Sequence, residues 1–211
     1  MIPLNDWLIF LIAALILVIS PGPNMIYLLS RTLAQGKLAG FTSLAGVMCG
    51  FIFHIVLVSF GLTAILFAIP YAYLGLKTLG TIYLLYLAFQ AFRPHGKNMF
   101  ETSSDLRMDK PKKLFLVGFL TNVLNPKVAV FYLSFFPQFI KPEHGSVFIQ
   151  SIELGVAQAL LSFISNSIII FFAAKMALFF SKKPLWLKIQ RWFMGTVLTT
   201  LALKMAFTET K

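Results

Sequence analysis

The chain of 211 residues is 58% hydrophobic and only 12% charged, whereas soluble domains carry about 25% charged residues, so the composition predicts an all-α integral membrane protein. Its net charge of +11 does not indicate nucleic-acid binding, because the basic residues lie between hydrophobic segments, where the positive-inside rule expects them. The single cysteine, Cys49, excludes an intrachain disulfide, a redox pair and a thiolate metal cluster.

Six hydrophobic segments follow one another along the chain, each suited to a transmembrane helix of about 20 residues. The first has no basic region before it, which favours a retained helix over a cleaved signal peptide. We predict one transmembrane domain over residues 1–211, with a first half (1–93), a cytoplasmic loop (94–113) and a second half (114–211). The segments are Trp7–Ser30, Phe41–Ile69, Tyr71–Phe92, Leu114–Ile140, Val147–Ala174 and Leu185–Phe207.

The lysines and arginines predict the orientation of the chain. Of the 18 such residues, 13 lie in or beside the connections that follow segments one, three and five. Because positively charged loops stay in the cytoplasm, we expect a cytoplasmic long loop and both termini outside. In the sixth segment only Trp192–Leu203 is free of charge, so its complete crossing of the bilayer is left open.

The first segment is interrupted by two prolines that flank a glycine. Pro23 has no N–H to donate, so a regular helix cannot continue, and the carbonyls freed near Val18 and Ile19 need new partners. A helix that restarts near Pro23 would direct its first amides toward the break, where they favour an anion such as a carboxylate. The alternative is a kink that only shapes packing. We predict that the interrupting residues bind substrate; they are Ser20, Pro21, Gly22, Pro23 and Asn24.

The fourth segment contains the most informative residue, Lys127, with 13 apolar or uncharged residues on either side. Each end of the segment is roughly 20 Å away, which is too far for easy snorkelling, and an ammonium at this depth costs at least about 2.5–3.5 kcal/mol. Pro126, directly before it, frees the carbonyl of Asn122. We predict that Asn125, Pro126 and Lys127 also bind substrate. The alternatives are that Lys127 pairs with an acidic residue, that it releases a proton when desolvated, or that it lies near an interface.

The two interruptions occur at matching places, in the first segment of each half. Halves of three segments each must insert with opposite orientation, and paired breaks of this kind are the best indication in a sequence of a transporter built on inverted repeats. We therefore predict six transmembrane helices in a 3+3 inverted repeat, with helices 1 and 4 broken.

Two ionisable residues are candidates for proton coupling. His54 lies near the middle of segment two, where an imidazole needs a partner and titrates near neutral pH; a structural hydrogen bond is the alternative. Glu153 is the carboxylate best placed to enter the membrane region, although it also suits the outer interface.

Other polar and small residues in the segments favour packing. Gly46 and Gly50 share a face, which lets helices approach closely. Ser162 and Asn166 also share a face, four residues apart. Interhelical hydrogen bonding is the default for these two, and lining of a polar pathway is the alternative.

Taken together, these motifs resemble the LysE/RhtB family of amino-acid exporters over nearly the whole chain. The two interruptions at this separation form a specific combination, whereas either alone would be weak. Lys204 departs from the family pattern, because many relatives have a small apolar residue in that region. The matching positions are Ser20-Pro21-Gly22-Pro23-Asn24, Arg31, Gly36, Ala39-Gly40, Gly46, Gly50, His54, Gly61-Leu62, Leu79-Gly80-Thr81-Ile82-Tyr83-Leu84, Gly118-Phe119, Asn125-Pro126-Lys127, Phe131, Phe136-Pro137-Gln138-Phe139 and Gly195.

The resemblance implies a bacterial inner-membrane exporter of amino acids or related metabolites, driven by the proton gradient. We expect alternating access around a site at the middle of the bilayer, no cofactor, no metal site and no nucleic-acid partner. A homo-oligomer is left open. The partners are the bilayer and a small-molecule substrate. A non-transporting accessory subunit is the alternative, followed by a membrane-embedded enzyme, for which no catalytic motif is present.

Overall fold

The computed structural model describes residues 2–19, 22–68 and 108–182, together with helical positions scattered between residues 75 and 92 and between residues 189 and 207. The three continuous ranges contain α-helices and shorter helical turns, without a strand, which confirms the all-α prediction. The α-helices are α1 (Leu4–Ile19), α2 (Pro23–Gln35), α3 (Lys37–Ala68), α4 (Pro111–Val123), α5 (Pro126–Val130) and α6 (Val147–Lys182).

Both predicted interruptions are present. Helices α1 and α2 meet at 49°, and α4 meets the segment Lys127–Phe139 at 47°. Helices α3 and α6 are each long and apolar enough to cross a bilayer, over Lys37–Gly61 and Val147–Lys175. If each bent pair is one span, the described residues hold up to four spans.

The remaining two predicted spans cannot be compared with the structure. Segments three and six fall mostly outside the described residues, as do Lys204 and the loop from residue 93 to residue 107. Six spans and the inverted repeat therefore stay predictions.

Proline begins three of these helices. Pro23, Pro111 and Pro126 each occupy the first turn, where a missing N–H costs no helical hydrogen bond. After α5 the backbone widens into a π-helical turn at Phe131–Phe135 and then tightens into a 3₁₀ turn at Phe136–Phe139. The span after the second break is thus irregular along most of its length.

The core lies where α1 packs against this irregular segment. The Phe10 side chain is fully buried, and its ring centroid lies 5.9 Å from Phe131, 5.7 Å from Phe136 and 5.3 Å from Phe139. Aromatic rings at these separations attract each other beyond the burial of their area. An aromatic cluster therefore joins α1 to the segment that follows the second break.

Helices α3 and α4 cross at close backbone contact. A Cβ atom at Gly46 would collide with the backbone of Phe115, and one at Gly118 would collide with the carbonyl of Ser43. A Cβ at Gly50 would lie 2.6 Å from the Cβ of Asn122. The packing interpretation of Gly46 and Gly50 is therefore confirmed, because glycine alone permits this approach.

Ion pairs lie at opposite ends of the α1–α2 pair. At the end of α2, Arg31 contacts Asp109 at 2.9 Å, and Lys113 contacts the same carboxylate at 2.6 Å. The hydrogen bond from Lys113 and the charge of Arg31 hold the pKa of Asp109 below its usual value. Near the start of α1, Lys141 lies 3.8 Å from Asp6.

Candidate functional site

The second break is closed mainly by its own residues, with one further contact from His54 of α3. The Asn125 side chain caps α5, with its Oδ1 accepting a hydrogen bond from the backbone N–H of Lys127 at 3.0 Å. Pro126 cannot donate to the carbonyl of Asn122, and the N–H of Asn125 donates to that oxygen instead, at 3.0 Å. Nε2 of His54 lies 3.4 Å from the same oxygen. The carbonyl freed by the proline therefore has two nearby partners.

The first break depends on a side chain from the other half. Gly22 precedes α2 in an extended conformation, and no side chain caps this helix. Pro21 has no N–H for the carbonyl of Leu17, four residues earlier. The Nζ atom of Lys127 donates a hydrogen bond to that carbonyl oxygen at 3.0 Å. The predicted ammonium of the second break thus reaches the first.

Gly22 makes room for this lysine. A Cβ atom added at Gly22 would lie 3.0 Å from Nζ and 3.3 Å from Cε of Lys127. These separations are shorter than ordinary contacts between nonbonded atoms. The absence of a side chain at residue 22 therefore permits the ammonium to lie against the first break.

A cavity of about 30 Å³ lies between the two breaks. By this measure a single water molecule needs about 10–15 Å³, so the cavity is small but not closed to polar occupants. Its walls come from both bent pairs, from α3 and from α6. The lining residues are Leu17, Val18, Gly22, Asn24, Met25, Phe51, Asn125, Lys127, Val128, Phe131, Gln158, Ser162 and Asn166.

Two amide groups in this lining have unsatisfied atoms. Oδ1 of Asn24 and Nδ2 of Asn125 are buried, and neither has a hydrogen-bond partner among the described residues. An unpaired buried polar atom costs about 1–3 kcal/mol. The cavity therefore offers an acceptor, a donor and the Lys127 ammonium to anything that enters it.

The wall opposite the breaks is a polar face of α6. Gln158, Ser162 and Asn166 follow at four-residue spacing and are buried. Nδ2 of Asn166 donates to the carbonyl of Ser162 at 2.8 Å and to its hydroxyl at 3.0 Å. These two residues thus bond within one helix, contrary to the default of interhelical bonding, and both line the cavity.

His54 lies outside the cavity but is connected to it. Its ring stacks on the ring of Tyr132, with centroids 5.4 Å apart and planes 11° apart. The Tyr132 hydroxyl donates to Oε1 of Gln158 at 2.7 Å, and Gln158 lines the cavity. His54 therefore has structural contacts on two sides, while its role in proton coupling stays a prediction.

The predicted site residues fall into three groups. Gly22, Asn24, Asn125 and Lys127 line the one cavity. Ser20 and Pro21 lie outside the described residues, as does the side chain of Pro126. Pro23 begins α2 with an exposed side chain, and Glu153 is exposed on α6. No described contact connects Glu153 to the cavity.

The sequence interpretation did not include Tyr132 and Gln158. Gln158 had a detectable signal, because it extends the spacing of Ser162 and Asn166 by one more step of four residues in an apolar segment. Tyr132 had none, because its contact with Gln158 joins positions 26 residues apart.

Comparison with known proteins places the chain among membrane transporters. The LysE type translocator family profile matches residues 15–209. A Salmonella typhi protein named as a homoserine/homoserine lactone efflux protein is 31% identical over 75% of both chains. Its counterpart from Salmonella typhimurium strain LT2 is 32% identical over 71% of both chains. An uncharacterized membrane protein of Pseudomonas aeruginosa is 27% identical over 85% of both. No solved structure matches.

Proposed function

We propose that this chain, which belongs to the LysE type translocator family, exports small amino acids or related metabolites across the bacterial inner membrane. The proton gradient drives this export, and both termini lie outside. The names of the two Salmonella relatives make homoserine the first substrate to test. The observation that carries the proposal is the cavity between the two broken helices, where an ammonium group and unsatisfied amides lie together.

The substrate carboxylate binds the second break. Lys127 supplies the positive charge, and Nδ2 of Asn125 supplies a donor that has no partner among the described residues. A carboxylate is a stronger acceptor for an ammonium than a neutral carbonyl. The incoming carboxylate therefore draws Lys127 away from the carbonyl of Leu17, which is its acceptor in this structure.

The substrate ammonium binds the first break. The carbonyl of Leu17, vacated by Lys127, and Oδ1 of Asn24 are its acceptors. We propose that the remaining interrupting residues, Ser20, Pro21, Gly22 and Pro23, also contribute to substrate binding, and that Pro126 maintains the second break. The substrate carboxylate thus replaces the carbonyl of Leu17 as the acceptor for Lys127, and the substrate ammonium replaces Lys127 as the donor to that carbonyl.

Transport requires the walls of the cavity to separate. At about 30 Å³ the cavity is small, so a bound amino acid moves the surrounding helices apart. Alternating access around a site between two broken helices follows the general behaviour of transporters built on repeats.

Proton coupling runs through His54, with Glu153 as the second candidate. His54 reaches the cavity through Tyr132 and Gln158. His54→Phe keeps an aromatic ring against Tyr132 but removes the titrating nitrogens. We expect this variant to lose most of the pH dependence of transport between pH 5 and 8, where imidazole titrates. An unchanged pH profile would exclude His54 and direct the same test to Glu153→Gln.

The function is tested with purified protein in proteoliposomes. Vesicles loaded with labelled homoserine should release it when a pH gradient is imposed, and a protonophore should stop the release. The controls are homoserine-loaded vesicles without protein and homoserine-loaded vesicles that contain unfolded protein. Release that is independent of the gradient would remove proton coupling from the proposal.

The alternatives give different results in the same vesicles. Chemical conversion of the labelled compound would indicate an enzyme. Neither movement nor conversion, across a panel of amino acids and lactones, would favour the accessory subunit.

A further inference from the structure

One face of α6 contributes polar groups to the cavity that the breaks do not need. Gln158, Ser162 and Asn166 are 1%, 2% and 4% exposed, and all three line the cavity. Their four-residue spacing places them on one face of the helix. The mostly apolar helix α6 therefore buries three polar side chains at one place in the cavity wall. The groups proposed to bind the zwitterion, at Asn24, Asn125 and Lys127, belong to other helices that line the same cavity.

The internal hydrogen bonds of this face define what it can still offer. Nδ2 of Asn166 is held by the carbonyl and hydroxyl of Ser162. Within the described ranges no hydrogen bond uses Oδ1 of Asn166 or the hydroxyl proton of Ser162. The Tyr132 hydroxyl holds Oε1 of Gln158, which leaves the Nε2 donors. The face thus presents an acceptor and several donors in fixed orientations.

The face carries no formal charge. Among the residues that line the cavity, Lys127 is the charged one, and it belongs to the second break. A cationic side chain of a substrate would find no carboxylate in this lining, and burial of an unpaired charge is unfavourable. A wholly apolar side chain would leave the donors and the acceptor without partners. Both kinds of substrate are therefore disfavoured.

We propose that Gln158, Ser162 and Asn166 select the substrate by its side chain, accepting a short, uncharged side chain that carries a hydroxyl or carbonyl oxygen. This inference rests on the proposed function and extends it, because it assigns the side chain of the substrate to α6 and the zwitterion to the breaks. Tyr132 is a positioning residue, since it orients Gln158 without lining the cavity. Because the cavity must expand to hold any amino acid, a short side chain requires the least movement of the surrounding helices and is favoured over a long one.

The test compares substrates that differ by one hydroxyl. Homoserine and 2-aminobutyrate share a carbon skeleton, and only the first has a hydroxyl. Each compound competes with labelled homoserine for transport into proteoliposomes. Wild-type protein should prefer homoserine over 2-aminobutyrate by at least about tenfold, because a site built for a hydroxyl rejects the analogue that lacks it.

Two substitutions should reduce this preference. Ser162→Ala removes a hydroxyl, and Asn166→Leu replaces the amide with an apolar group of similar size. We expect the preference for homoserine to fall about tenfold in Asn166→Leu. Norvaline, which has a methyl group in place of the homoserine hydroxyl, should inhibit homoserine transport by this variant more strongly than it inhibits transport by the wild-type protein. A gain for norvaline cannot come from misfolded protein.

Ser151→Ala is the matched control. Ser151 is a fully buried serine on the same helix, its hydroxyl donates to the carbonyl of Val147 at 2.8 Å, and it does not line the cavity. This variant should keep the wild-type preference.

Failure of this inference differs from failure of the exporter proposal. Transport by wild type without preference for the hydroxyl, or an unchanged preference in both Ser162→Ala and Asn166→Leu, would overturn the assignment to α6 and leave the exporter standing. Absence of any amino-acid transport by wild type would overturn both.

Discussion

The two broken helices bend by nearly the same angle, 49° and 47°, but satisfy their freed carbonyls in different ways. At the second break, Asn125 caps the next helix with its side chain and covers the carbonyl of Asn122 with its backbone N–H. At the first break, no side chain caps α2, and the carbonyl of Leu17 bonds to Lys127. The first break is therefore completed by the second half of the chain.

This difference indicates which break responds to a ligand. A locally closed break keeps its shape when a substrate binds, because its hydrogen bonds use Oδ1 of Asn125 and backbone groups and leave the Lys127 ammonium and Nδ2 of Asn125 for the substrate. A break closed by Lys127 loses its partner as soon as a carboxylate attracts that ammonium. We expect the second break to act as the fixed side of the site and the first break as the side that changes.

The largest effect should come from Lys127→Ala. This change removes both the charge for the carboxylate and the donor to Leu17, and loss of one partner of a buried charged bond costs about 2–5 kcal/mol. We expect homoserine transport to fall by at least about 100-fold in proteoliposomes with equal amounts of inserted protein. Lys37→Ala is the control, because Lys37 is an exposed lysine outside the cavity. If the Lys127→Ala variant transported homoserine at the wild-type rate, the bond between Lys127 and Leu17 would not be needed for transport, and the proposed difference between the two breaks would be contradicted.

The next largest effect should come from Gly22→Ala. The backbone of Gly22 is extended, with φ near −169°, so alanine introduces no backbone strain. The new methyl group would lie 3.0 Å from Nζ of Lys127, and overpacking of this kind costs about 1–3 kcal/mol. Because the substrate draws Lys127 away from this position, the methyl group destabilises the substrate-free state more than the bound state, and we expect the KM for homoserine to fall by up to about tenfold. Gly61→Ala, where a Cβ meets nothing within 4 Å, should leave the KM unchanged, and equal effects of the two variants would contradict a specific contact at Gly22.

A smaller effect should come from the cap that Asn125 provides. Asn125→Ser keeps an uncharged oxygen that can cap α5, whereas Asn125→Ala removes the cap. Loss of the cap costs about 1 kcal/mol of stability, so the alanine variant should melt several degrees below the serine variant in detergent. Equal melting temperatures would show that the cap does not stabilise the second break.

The smallest effect concerns the far ends of the two bent pairs, where Asp109 joins Arg31 of α2 to Lys113 of α4. Because the pKa of Asp109 is lowered in the folded protein, its contribution to stability is present above the usual carboxyl pKa of about 3.9 and is lost as the pH falls through the lowered value. Asp109→Asn should therefore lower the melting temperature at pH 7 and have no effect in strong acid. A difference that persists in acid would indicate that the ion pairs are not its cause.

The sequence predicted the features that follow from local chemistry. Proline removes a donor wherever it occurs, so the two breaks and the freed carbonyl of Asn122 were predictable without tertiary information. Hydropathy predicted the apolar parts of α3 and α6 that are long enough to cross a bilayer, but it did not predict the residues at which these helices begin and end. Helix α3 begins at Lys37 and α6 continues to Lys182, because helices extend past the apolar core wherever water satisfies their polar side chains.

The features that depend on packing between distant segments were not predictable in this way. Neither the contact of Lys127 with Leu17, across 110 positions, nor the bond between Tyr132 and Gln158 has a local signal. Ser162 and Asn166 were identified from the sequence, but the prediction of a hydrogen bond to another helix was wrong. Asn166 bonds instead to Ser162, four residues earlier in α6. Side-chain orientation decides such cases.

The glycine contact between α3 and α4 restricts how an exporter of this design can move. Gly46 belongs to the first half and Gly118 to the second, and a Cβ atom at either position would collide with the backbone of the other helix, so sliding would bring larger side chains into this contact. If the two halves rotate during transport, we expect the rotation axis to pass near this crossing, because displacement is least tolerated where the two backbones are in contact.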